Sequence, residues 1–73
     1  MTIKDFFTKH SDIRLSLQHM VKYEGCWLVR VYNTLYDTRK PIFEEYIADT
    51  EVNAKENFDE AIMEPIINWW NNR

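Results

Sequence analysis

The chain is short of almost everything that would staple, hinge or anchor it: its 73 residues include one glycine, two prolines and one cysteine. The lone Cys26 excludes an internal disulfide framework and fits a reducing compartment. No apolar run approaches the ~20 residues that span a bilayer, and the opening MTIKDFFTKH lacks an apolar signal core. A soluble, cytoplasmic protein with no membrane contact is the expectation.

Chemical motifs are missing as well. His10, His19 and Cys26 match no zinc-ligand spacing, so they are read as core-edge histidines and a small buried thiol. Asp59 and Glu60 are neighbours on a helical pattern, where adjacent side chains diverge and do not meet on one substrate. Asp49 and Glu51 lack the glycine-turned loop of a calcium site. A chain this short has little material for a closed, water-excluding pocket. A non-enzyme without metal or cofactor is expected.

What is abundant is apolar and aromatic surface. Hydrophobic residues make up 45% of the chain and aromatic ones 15%, which points to a packed globule and not a disordered segment. One domain over residues 1–73 is expected, and a domain of this size buries only ~60% of the surface its unfolded chain exposes. The eleven Phe, Trp and Tyr residues supply large area per residue, which compensates for a small core. The net charge of −3 conceals an asymmetry: Met1 to Lys40 carries seven Lys or Arg and four Asp or Glu, whereas Glu44 to Glu64 carries eight acids and only Lys55.

Along the chain, Thr2 and Asp5 have capping-box spacing, Met1 is placed to staple onto Phe6, and Ile3, Phe6, Phe7 and His10 follow at helical intervals. A short first helix ending near Ser11 is predicted. Ile13 to Val21 alternates, with Ile13, Leu15, Leu17, His19 and Val21 on one side, which favours a strand; a helix using Ile13, Leu17, Met20 and Val21 is the alternative. Cys26 to Asn33 (CWLVRVYN) is β-branched and aromatic, a second strand with Trp27, Val29 and Val31 facing in. Tyr36 to Lys40 makes the turn before Pro41, and Ile42 to Ala48 makes a third strand of undetermined phase. Its mid-strand Glu44 and Glu45 suit a sheet edge.

The last helix is expected to start around Thr50 to Asn53, where Asn53 and Glu56 have cap spacing. Ala54, Phe58, Ala61, Ile62, Pro65, Ile66 and Trp69 then form its apolar stripe, with Asn53, Asn57, Glu60, Glu64 and Asn68 opposite. Pro65 inside the pattern predicts a kink or a fresh start near Glu64. The expected fold is α+β: a short N-terminal helix, a three-stranded antiparallel meander, and a C-terminal helix kinked near Pro65 and packed on one sheet face.

This layout resembles a known family. A middle strand reading LVRVYN, a third strand passing through EEYIADTE into an acid-rich segment, and a final helix ending INWWNN are similar to the small acidic phage-encoded anti-CRISPR proteins that inhibit Cas9. The resemblance implies an acidic surface that occupies the site on Cas9 that reads target DNA, with Asp37, Glu44, Glu45, Asp49 and Glu51 as the matching acids. Arg39 and Lys40, which dilute the charge of the turn, and Pro65 in the last helix depart from that pattern.

The functional expectation is a non-catalytic binding protein, a phage or mobile-element accessory factor in the host cytoplasm. It would modulate a basic, nucleic-acid-handling protein through Asp37, Glu44, Glu45, Asp49 and Glu51, with Met63, Ile67 and Trp70 as apolar anchors; burial of these three against the sheet after a kink at Pro65 is an equally good account of them. The acids Glu44, Glu45, Asp49, Glu51, Glu56, Asp59, Glu60 and Glu64 as a set could present negative charge to a basic groove, and they also fit an ordinary solvated face. One alternative is a homodimer through Met63, Ile67 and Trp70 or the open sheet face, so monomer and homodimer both stay open. The other is RNA binding through Arg14, Lys22, Arg30 and Tyr32. Helix, three strands, helix is the order of double-stranded-RNA-binding domains. Those domains place lysines at the start of the last helix, where this chain has Glu51, Glu56, Asp59 and Glu60, so direct nucleic-acid contact is disfavoured.

Overall fold

The computed structural model describes residues 2–22, 25–35 and 39–73. Its elements run α1 (Ile3–Lys9), β1 (Ile13–Met20), β2 (Cys26–Asn33), β3 (Phe43–Ala48), α2 (Asp49–Asn53) and α3 (Phe58–Asn72). The three strands form one antiparallel sheet in the order β1-β2-β3. The α+β class and the meander are those read from the sequence.

The first helix starts where its cap residues dictate. The Thr2 side chain accepts the Asp5 amide at 3.1 Å, and the Ile3 amide donates to Asp59 Oδ2 at 2.9 Å. A carboxylate of α3 thus satisfies one of the free amides of α1. Helix α1 ends at Lys9, two residues before Ser11, with the His10 amide closing on Phe6 O at 3.0 Å. The stapling expected of Met1 lies outside the described residues.

Alternation decides the sheet. Ile13, Leu15 and Leu17 of β1 share a face with Val29 and Val31 of β2, paired as Leu15↔Val31 and Leu17↔Val29. Residues 13–20 are strand and not helix because this two-residue period sets Ile13, Leu15 and Leu17 on the core face, Ile13 buried and the two leucines half-buried. Val29 and Val31 are 0% exposed, and over them lie Ile62 and Ile66 of α3, also 0% exposed. Burying four such side chains contributes roughly 1.5–3 kcal/mol each. Phe6, Ile13, Ile47, Val52, Ala61 and Met63 complete the core. On the sheet's other face, Leu28 is buried, with Gln18 and Tyr46 as its register partners.

The C-terminal third departs from the single helix expected. It is two helices, because α2 tightens and stops: the Ala54 amide bonds Thr50 O and the Lys55 amide bonds Val52 O. Helix α3 then restarts at Asn57, whose side chain accepts the Asp59 amide at 2.8 Å. Asn57 and Glu60 repeat the N-x-x-E spacing of Asn53 and Glu56 four residues later, and the later copy is the cap. Ala54 and Phe58 accordingly leave the apolar stripe and are exposed, while Ala61, Ile62 and Ile66 keep it. No fresh start occurs at Pro65: α3 continues through it to Asn72.

Candidate functional site

The phase of β3 determines where its acids go. Phe43, Glu45 and Ile47 share the helix side with Val31, Val29 and Trp27, their register partners, while Glu44 and Tyr46 share the opposite face with Arg30 and Leu28. Glu44 and Glu45 therefore stand on opposite faces of the sheet. Glu44 accepts Arg30 Nε–H at 2.8 Å. That hydrogen bond, with the charge of Glu44, raises the Arg30 guanidinium above its ordinary value.

Glu45 has a different setting. Together with Ile47, Glu51, Ala54, Lys55, Ala61, Glu64, Pro65 and Asn68 it lines a groove of about 360 Å³ between β3, α2 and one flank of α3. Its floor is apolar and its rim carries Glu45, Glu51 and Glu64. The one cation of the lining among the described residues, Lys55, lies with Nζ 2.8 Å from Glu64 Oε2. That hydrogen bond raises the Lys55 ammonium above its ordinary value.

Asp49 is not part of this groove. It opens α2, its amide bonded to Gly25 O at 3.0 Å and its carboxylate to His19 Nε2. Of the acids singled out in the sequence, Glu45 and Glu51 converge, Glu44 and Asp49 are held in pairs elsewhere, and Asp37 lies outside the described residues. Glu64 belongs to the wider acidic set read from the sequence but not to its narrower set of partner-binding residues. Its place on the polar face of the last helix was readable, but its approach to Glu45 depends on how that helix crosses the sheet.

Of the three apolar residues that the sequence offered as anchor or as core, Met63 is core, and Ile67 and Trp70 are half-buried. Met63 is 1% exposed and belongs to the core. Trp70 packs on α1, its ring 5.7 Å from Phe6 and 4.7 Å from His10, with the Arg73 guanidinium 3.3 Å from its centroid. Ile67 is half-buried against the core. The stripe phase placed Met63 on a flank because a helix lying across a sheet buries a wider arc than its central stripe. Trp69, read as core, packs on Phe43 at 5.1 Å.

On the open face, Arg30 is paired with Glu44 and the Arg14 guanidinium lies 4.6 Å over the Tyr32 ring. Among the described residues no group of three or more His, Cys, Asp or Glu is arranged to hold a metal ion, and no helix is long and apolar enough to cross a membrane. Compared with protein-family models, curated proteins and solved structures, the chain matches none.

Proposed function

We propose that the chain is a non-catalytic binding protein that docks a basic, nucleic-acid-handling protein against the groove beside β3. One observation carries the reading: Glu45, Glu51 and Glu64 rim a single groove whose only cation among the described residues, Lys55, is tied to Glu64. Converging carboxylates over an apolar floor suit lysine and arginine side chains, whose stems pack while their charges pair. The charge asymmetry of the chain, acidic from Glu44 to Glu64, favours fast steering of such a partner. The resemblance to Cas9 inhibitors supports a phage or mobile-element factor working in the host cytoplasm, with the groove standing in for phosphate. Burial of Met63, with Trp70 packed on Phe6 and His10, weakens the homodimer reading through Met63, Ile67 and Trp70, and pairing of Arg30 with Glu44 weakens the RNA reading.

The test is differential capture. Immobilised wild-type chain and the Glu45→Lys/Glu51→Lys variant are exposed to a bacterial lysate, and retained proteins are identified by mass spectrometry. Basic nucleic-acid-handling proteins, guide-loaded Cas9 included, retained by the wild type and lost from the variant are the expected result. Equal retention by both would sink the reading.

A further inference from the structure

The outer edge of β3 is the feature that the groove alone does not explain. The Asp49 amide bonds Gly25 O, and the register continues as Trp27↔Ile47 and Val29↔Glu45. In an antiparallel pair, successive residues point their amide and carbonyl alternately toward and away from the partner strand. Glu45 and Ile47 therefore bond to β2, and Glu44 and Tyr46 direct their backbone groups outward. Among the described residues no strand lies beyond β3. Both Glu44 and Tyr46 are exposed, Tyr46 at 56%.

An unpaired edge is a template for another strand, and natural edges carry charge to prevent indiscriminate pairing. Here the charge is of one sign. Glu44 and Glu45 repel the β3 edge of a second copy, yet they attract a cationic strand. A fourth strand laid along β3 would project alternate side chains toward the groove rimmed by Glu45, Glu51 and Glu64, and the others beside Glu44 and Tyr46. Backbone bonds would hold the segment, and the carboxylates would choose its side chains.

We infer that β3 takes up an extended basic segment as a fourth strand, with lysine or arginine at alternate positions over the groove. The inference rests on the groove being the docking surface and specifies what the partner inserts there. The edge of β1 offers no such discrimination: its one strongly charged strand residue is Arg14, of the wrong sign for a basic segment.

The test uses the full chain and a capped nonapeptide in which lysine alternates with threonine and valine. Two N-methylated versions of the peptide keep its charge, each blocking one alternate set of its amides. Amide exchange by NMR should slow at least tenfold at Glu44 and Tyr46 on peptide binding, and stay unchanged at Leu15 and Leu17, whose amides face outward on β1. One N-methylated version should lose affinity at least tenfold and the other should not. Equal binding of all three peptides, with Glu44 and Tyr46 still exchanging fast, would overturn strand addition while leaving the acidic groove in place. No binding of any peptide would overturn both readings. Protection of Glu44 and Tyr46 that grows with protein concentration and without peptide would assign the edge to a second copy and overturn the basic-segment inference.

Discussion

The Nε2 of His19 stands 3.0 and 2.9 Å from the two carboxylate oxygens of Asp49, joining β1 to the first residue of α2 across the central strand. The His19 ring lies flat on Trp27, 4.4 Å between centroids and 9° between planes, and Trp27 meets Phe58 edge-on at 5.1 Å. One end of the sheet is thereby tied to the starts of both C-terminal helices. Asp49 is a structural acid, and that separates it from Glu45 and Glu51.

Gly25 sits inside this arrangement with φ of +59°. A Cβ there would strain the backbone and press into the Asp49 carboxylate. Gly25→Ala is expected to destabilise the fold by about 1–2 kcal/mol from the left-handed conformation, with more from the displaced Asp49. In a double-mutant cycle by urea denaturation, Asp49→Ala should recover part of that loss. Strict additivity would show that Asp49 does not constrain the turn.

Asp59 holds the other end of the molecule. Its side chain takes the Ile3 amide, so Asp59→Ala should cost about 1 kcal/mol, the usual loss for a removed helix cap. Fraying of α1 would uncover Trp70, which rests on Phe6 and His10. Tryptophan emission should shift to the red well below the main thermal transition. A variant whose emission is unchanged until global unfolding would refute this coupling.

Met63 and Glu60 provide a contrast within one helix. Met63→Ala should cost about 2–5 kcal/mol as a core truncation, a large part of the roughly 4–11 kcal/mol that a domain of this length has in all. Exposed Glu60→Ala, a first-turn acid of α3, should cost no more than about 1 kcal/mol. Circular dichroism melts distinguish them, and near-equal midpoints would return Met63 to the surface.

Much of the fold was legible because it depends on local rules. The alternation from Ile13 to Met20, the β-branched run through Val29 and Val31, and the cap at Thr2 each specify their element with no tertiary information. The break at residues 54–57 was not, because Asn53–Glu56 and Asn57–Glu60 offer equal cap signals and only packing of Val52 and Ile62 into the core chooses between them. The site was half legible. Composition marked the acids, but their grouping turns on the phase of β3, where Glu44 and Glu45 gave no preference, and on the crossing of α3, which brings Glu64 to Glu45. Trp70 was ambiguous for a similar reason: its partner Phe6 is far away in sequence.

The most direct test of the acidic groove as docking surface is an amide NMR titration of the isotope-labelled chain with the lysine-alternating nonapeptide at low salt. The predicted shifts concentrate at Glu44, Glu45, Tyr46, Ile47, Glu51, Ala54 and Asn68. They should weaken steeply as salt is raised and disappear in Glu45→Lys/Glu51→Lys. Shifts centred instead on Glu56, Asp59 and Glu60, and untouched by that double reversal, would mean that any acidic face of the molecule serves equally and would contradict the account.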